Sequence, residues 1–197
     1  YQGLLYGTEK YFLQESFPRM CFETYTDEGG YNMAYSELGS NVTNAFMWER
    51  DIYREDQICG EWNSFTPLLY NANKVIAEVM DAENGTPEQR LALHSEARMQ
   101  RAWYLFMMSQ FFGEIPIITS ASTSMTGLQL STVEEVNEFV LKEMYEAVGG
   151  LSDESEHYLR IFKPTGYGLY GKVLFMLGHY EKASVQLDLA FKALAKS

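Results

Sequence analysis

Apolar residues recur along most of this chain at the three- to four-residue spacing of amphipathic helices, whereas stretches that alternate apolar and polar residues are few. β-branched residues are scattered rather than grouped, so strand signals are weak. The pattern therefore predicts an all-α fold of stacked antiparallel helix pairs. The predicted helices span about residues 1–14, 62–81, 87–112, 132–148, 166–178 and 180–196.

The helix predicted over residues 87–112 has clear signals at both ends. Thr86 and Gln89 form a capping-box pattern around Pro87, and Gly113 follows the last apolar residue. The middle of the helix, Ala102–Met108, is apolar on every side. A helix of this kind must lie between other elements rather than on a surface, so we expect it to be central.

Other helix ends and interfaces can be predicted in the same way. Ser131 or Thr132 caps the helix at 132–148, with a glutamate at 134 or 135 completing a capping box. Small and large apolar residues at helical spacing indicate tight interfaces, so we expect Ala102, Phe106 and Ala183 to be buried.

The last two predicted helices resemble one tetratricopeptide unit. Gly171 lets two helices approach closely, and Gly178 forms the turn between them. Ala183, Leu187 and Ala190 form a small-large-small stripe on the second helix. A single unit cannot bury its own apolar face, so we expect the helix pair at 62–112 to stack with the helices at 132–196.

Two segments do not follow the helical pattern. Residues 19–61 carry many aromatics among irregularly placed Gly, Asn and Ser, and a long irregular segment in a compact domain is typically functional. Residues 114–131 are rich in small polar residues, so we expect them to run over the surface as a loop.

Composition and charge exclude several classes of function. The chain has 197 residues, 46% of them hydrophobic, and fits one globular domain over residues 1–197. Its formal net charge of -12 disfavours nucleic acid and anionic lipid as partners. No apolar run approaches the ~18–20 residues that span a bilayer. We expect any signal sequence or lipid-attachment site to have been removed or to lie outside this chain.

The residue types that carry catalysis or bind metals form no recognisable pattern. His94, His157 and His179 are isolated, and no spacing singles out a pair of carboxylates for glycan hydrolysis. Cys21 and Cys59 lie far apart, which is typical of small buried hydrophobes, with a disulfide as the alternative. We therefore predict no catalytic residues, no metal site and no cofactor.

Sugar recognition requires flat aromatic faces together with amide or guanidinium groups for the hydroxyls, and residues 19–61 supply both. The alternative is that these aromatics pack within the loop or the core. The candidate ligand-binding residues of this segment are Trp48, Tyr31, Tyr35, Asn32, Asn41, Asn44 and Arg50.

Four separated motifs resemble the N-terminal, tetratricopeptide-like half of the SusD/RagB family, the surface-exposed glycan-binding lipoproteins of Bacteroidetes. In chain order they read WNSFTPLLYNANKVIAEV, SEARMQRAWYLFMMSQFFGEIPII, LSTVEEVNEFVLKEMYEAVGGL and PTGYGLYGKVLFMLGHYEKA. The resemblance covers nearly the whole chain from about residue 60 onward and is looser before it.

The chain also departs from the family pattern. Glu143 and Met144 stand where the third motif usually has aspartate and leucine, and Gly168 takes the place of an alanine. Members of the family are about twice as long as this chain, and the resemblance therefore implies that we should expect much of the ligand and transporter surface outside it.

Glu96, Arg98 and Arg101 of the second motif raise the question of catalysis. They occur where the central helix becomes enclosed, so each charge must find a partner on a neighbouring element to offset desolvation. In the family these residues mark the scaffold rather than a site. We expect them to be structural.

The resemblance implies a binding protein rather than an enzyme. It implies oligosaccharide binding at the cell surface, with a lipid anchor to the outer membrane and a TonB-dependent, SusC-like transporter as partner. The ligand is an oligosaccharide or, as in some relatives, a peptide. The alternative, from a different class, is a helical-repeat adaptor whose concave face binds a protein or peptide.

Overall fold

The structure is a computed structural model that describes residues 55–122, 127–155, 157 and 159–195. Described residues up to Pro67 belong to one compact unit, and those from Leu68 onward belong to another. The five helices of the described ranges are α1 Glu55–Glu78, α2 Pro87–Phe112, α3 Val133–Val148, α4 Lys163–Met176 and α5 Tyr180–Leu194. These ranges contain no strand, and the all-α prediction is confirmed.

The observed helix bounds agree with the predicted bounds for α2 and differ from them for α1 and α4. Helix α2 has the predicted bounds, and α4 begins at Lys163 rather than at 166 because Pro164 fits the first helical turn. The prediction that residues 55–61 are irregular is wrong, since α1 begins at Glu55 and includes Gly60. A glycine inside a helix costs only about 1 kcal/mol, which the rest of α1 outweighs. The helix predicted at 1–14 lies outside the described residues.

Two capping boxes fix the starts of α2 and α3. The Gln89 backbone N–H donates to Thr86 Oγ1 at 3.2 Å, and the Thr86 N–H donates to Gln89 Oε1 at 2.9 Å. At α3 the same pair of bonds joins Thr132 and Glu135, at 3.2 and 2.8 Å. The open choice of cap for this helix is therefore settled for Thr132.

Helix α2 is the centre of the unit that begins at Leu68. It packs against α3 along one side, and its Ala97 packs against Ala72, with Val75 of α1 beside them. Ala102 and Phe106 are completely buried, as predicted. The apolar middle of α2 therefore explains why the helix has no solvent-facing side there.

The segment after α2 is more buried than its sequence indicates. Ile115 and Ile118 lie in the core, so the prediction of a surface loop is wrong for residues 115–118. Ile115 pairs with Ser131 through two backbone hydrogen bonds of 3.3 and 2.9 Å, and the Asn73 side chain donates to the Ile118 carbonyl at 3.0 Å. These bonds supply the partners that buried backbone groups require. Residues 123–126 lie outside the described ranges.

Helices α4 and α5 form the predicted tetratricopeptide-like pair. A Cβ added to Gly171 would lie 3.0 Å from Leu187 Cδ2, so only glycine gives this close approach without a shift. Gly178 has φ 80 in the turn, and the next residue donates to the Leu174 carbonyl at 2.8 Å. Ala183 is buried, as expected. The small residues therefore set the helix spacing.

Candidate functional site

The residues predicted to bind ligand all lie outside the described part of the chain, so their assignment stays a prediction. They are Trp48, Tyr31, Tyr35, Asn32, Asn41, Asn44 and Arg50. The described residues nevertheless show what the charged groups of the second motif do, and they contain two surface grooves.

Arg101 joins three elements around α2. Its Nη2 donates to the Glu143 carboxylate of α3, and its Nη1 donates to Asn73 Oδ1 at 2.9 Å and to the Thr119 carbonyl at 3.5 Å. The guanidinium lies 5.7 Å from the centre of the Phe139 ring. A buried arginine with this set of partners holds α1, α3 and the segment after α2 in register.

Arg98 binds the same carboxylate from the solvent side. Its Nε and Nη2 donate to Glu143 at 3.3 and 2.6 Å, and Nη2 also reaches Glu146 at 2.6 Å. Burial opposes ionisation of Glu143, but the hydrogen bonds from Arg98 and Arg101 outweigh it and lower the pKa of this carboxyl. Glu143 therefore remains ionised between two arginines.

Glu96 forms a separate buried pair. Its carboxylate is fully buried and accepts hydrogen bonds from Arg160 Nε at 2.6 Å and from the Ile161 N–H at 3.2 Å. Burial raises the pKa of Glu96, and the charge and hydrogen bond of Arg160 oppose that rise only in part. This pair fixes the segment before α4 onto α2.

These geometries identify a scaffold rather than a catalytic centre. The carboxylates of Glu96 and Glu143 are occupied by arginines, so neither is free to act as a general base. The expectation of structural pairing is confirmed for Glu96, Arg98 and Arg101. Local sequence patterns do not reveal their partners, Asn73, Glu143 and Arg160, because these are 28 to 64 residues away along the chain.

One groove, of about 1010 Å³, lies beside the turn before α2 and the segment after α3. Its polar groups are largely used by local structure. Gln89 completes the capping box, Arg90 donates to the carbonyls of Ala82 and Gly85, and Asp153 pairs with Lys163 at 2.6 Å. We therefore do not place a site in this groove.

A second groove, of about 470 Å³, is lined by residues of α3, α4 and α5, and we refer to it as the tyrosine groove. Tyr145 and Tyr170 contribute aromatic rings, and Lys142 and Lys182 contribute ammonium groups. The pKa of Tyr170 is raised by burial and, to a smaller extent, by the neighbouring Tyr145. None of its residues belongs to the predicted ligand set.

Within the described ranges, no group of three His, Cys, Asp or Glu side chains is arranged to hold a metal ion. No helix in the same part of the chain combines the length and the apolar character needed to cross a bilayer.

The chain matches known proteins in sequence and in fold. Residues 14–174 match the family SusD-like_3, described as "Starch-binding associating with outer membrane", whereas no curated protein matches significantly. A putative sugar binding protein from Bacteroides vulgatus superposes on 98% of this chain with a TM-score of 0.78 and 16% identity. A laminarin binding SusD-like protein superposes on 94% with a TM-score of 0.73 and 20% identity.

A structure with a xylogluco-oligosaccharide superposes on 60% of the chain, with a TM-score of 0.54 and 25% identity. This chain covers 44%, 41% and 24% of these three proteins, so it spans less than half of their length.

The helix stack, the α4–α5 unit and the ion pairs around α2 define an all-α protein of tetratricopeptide-like architecture. The family match covers most of the sequence, and the chain belongs to the SusD-like family.

Proposed function

We propose that this chain takes part in binding oligosaccharides at the cell surface, as the lipid-anchored partner of a TonB-dependent outer-membrane transporter in nutrient uptake. The family match over residues 14–174 carries the proposal. It is supported by the similarity in fold to a laminarin binding protein and to a structure with a xylogluco-oligosaccharide. The protein is proposed as a binding protein and not as an enzyme.

The ligand chemistry is proposed to reside in the segment before α1. Glu96, Arg98 and Arg101 of α2 are engaged in ion pairs, and the apolar middle of this helix is buried in the core, so neither set of side chains is free to bind a ligand. Trp48 is the leading candidate in the preceding segment, because an indole offers the broadest stacking face for a sugar ring.

Replacing Trp48 with alanine tests this assignment in the full-length protein. We expect binding of laminarin and xylogluco-oligosaccharides, measured by calorimetry, to weaken while the melting temperature stays nearly constant. Phe191→Ala is the matched control, because Phe191 is 71% exposed on α5 and should change neither quantity. A packed Trp48 would instead cost roughly 3–5 kcal/mol of stability when truncated, and a large drop in melting temperature would contradict the assignment.

The transporter partnership requires a different measurement. Co-purification of the protein with a TonB-dependent transporter from detergent-solubilised outer membranes of the native bacterium is the expected result. A transporter gene directly upstream of this gene would give independent support. A folded protein that binds no glycan and co-purifies with no transporter would favour the helical-repeat adaptor instead.

A further inference from the structure

The tyrosine groove differs in charge from the rest of the chain. The sequence has 27 acidic and 15 basic residues, yet the residues that line this groove include two lysines and no carboxylate. Lys142 comes from α3 and Lys182 from α5, so two separate helices contribute the positive charge. Neither ammonium group forms a salt bridge within the described residues.

One of the two aromatic side chains of the groove is available to a ligand, because Tyr145 is exposed whereas Tyr170 is buried. Tyr145 is 68% exposed although it borders a packed helix interface, and neither its hydroxyl nor that of Tyr170 has a hydrogen-bond partner among the described residues. Gln186 adds an amide that can donate and accept, and Val185 adds an exposed apolar side chain. The groove thus combines a stacking face, hydroxyls, an amide and two cations.

This combination matches an acidic sugar. An aromatic ring packs on the apolar side of a pyranose, hydroxyl and amide groups bond its hydroxyls, and ammonium groups attract a carboxylate. The volume of about 470 Å³ falls within the range that holds small ligands. Because the net charge of -12 repels anions elsewhere, an anionic ligand would be directed to this positive groove.

We propose that the tyrosine groove is a second binding site, specific for oligosaccharides that contain uronic acids, in which Lys142 and Lys182 bind the carboxylates and Tyr145 stacks on a sugar ring. The choice of a saccharide over a peptide rests on the function proposed above. The inference that the ligand is negatively charged rests on the residues of the groove itself.

The test uses the whole chain and three probes: a trigalacturonate, a neutral xylogluco-oligosaccharide and a hexaglutamate peptide. Binding is measured by calorimetry at low and at physiological ionic strength for the wild type and for a Lys142→Gln/Lys182→Gln variant. The control variant Lys74→Gln/Lys192→Gln removes the same charge from exposed positions outside the groove. Tyr145→Ala tests the stacking face, and because Tyr145 is exposed we expect this variant to remain folded.

We expect the wild type to bind trigalacturonate and the groove variant to bind it about fivefold to tenfold more weakly, since two exposed ion pairs are lost. Binding should also weaken with salt in the wild type and in the control, but much less in the groove variant. Tyr145→Ala should lower the affinity for trigalacturonate at unchanged melting temperature. These results together would establish the site.

Other results overturn the proposal. Equal trigalacturonate binding by the groove and control variants would exclude the lysines, and tighter binding of hexaglutamate would identify a peptide site instead. Binding of the neutral oligosaccharide without binding of trigalacturonate would refute this second site and leave the proposed function intact. The protein could also bind trigalacturonate but neither of the other probes, with this binding lost in the groove variant and unaffected by Trp48→Ala. That result would support the second site independently of the Trp48 assignment.

Discussion

Glu96 on α2 and Arg160 before α4 form a hydrogen-bonded ion pair of 2.6 Å although they are 64 residues apart in sequence. The carboxylate is fully buried, while the arginine retains partial contact with solvent. A buried carboxylate is tolerated only when its charge and its lone pairs are satisfied, and here the Ile161 N–H accounts for the second oxygen. The pair therefore attaches an irregular segment to the central helix.

Truncating Glu96 should destabilise the protein strongly. Glu96→Ala removes the carboxylate that accepts from Arg160 Nε and from the Ile161 N–H, and we expect a loss of roughly 3 kcal/mol in the free energy of unfolding, measured with urea. Glu96→Gln keeps an acceptor and removes the desolvated charge, so its cost should be clearly smaller. Glu138→Ala, at an exposed position of α3, is the control. Equal effects of the two Glu96 substitutions would contradict a role for the hydrogen bonds.

The stability of the protein should depend on pH through Glu143. Since the arginines lower the pKa of Glu143 in the folded state, its stabilising contribution is present above the ordinary carboxylate pKa of about 4.3 and is lost as the pH falls through the lower folded value. The melting temperatures of the wild type and of Glu143→Gln should differ constantly above about pH 5 and converge below about pH 4. Glu138→Gln, at an exposed position of the same helix, is the control for the loss of one carboxylate. A difference that widens on acidification would refute the assignment.

The interface around Ala102 should not accept a larger side chain. Ala102 is completely buried in the middle of α2, so Ala102→Trp should overpack the core and cost roughly 1–3 kcal/mol, measured by thermal melting. Ala77→Trp on α1 is a matched control at an exposed position. A neutral result for Ala102→Trp would place that face of α2 at the surface.

Two glycines of α4 should respond to alanine in opposite directions. A Cβ on Gly166 would lie 2.2 Å from Leu151 Cδ1, so Gly166→Ala should destabilise by about 1–3 kcal/mol. A Cβ on Gly168 meets nothing within 4 Å, and Gly168→Ala should stabilise the helix by about 0.5–1 kcal/mol. Each substitution serves as the control for the other. Changes of the same sign in the melting temperature would contradict the packing around α4.

The sequence by itself determined the helices from α2 onward, and it fixed the starts of α2 and α3 closely. Capping boxes at Thr86 and Thr132 act within four residues, and their hydrogen bonds need no distant partner. The burial of Phe106 follows from an apolar run that leaves the helix no polar side. The small residues Gly171 and Ala183 likewise predict a closely packed helix pair, because larger side chains at these positions would keep the helices apart.

Only the tertiary structure decided how the charged groups are paired and where the second groove lies. Arg101 required a partner, but Glu143 and Asn73 become its neighbours only when α1 and α3 pack on α2. Ile118 was predicted to be exposed, because nothing in a polar loop sequence reveals that Asn73 will bind its carbonyl. Tyr145 and Lys182 meet in one groove for the same reason, since contacts between distant residues depend on helix packing and not on local sequence preference.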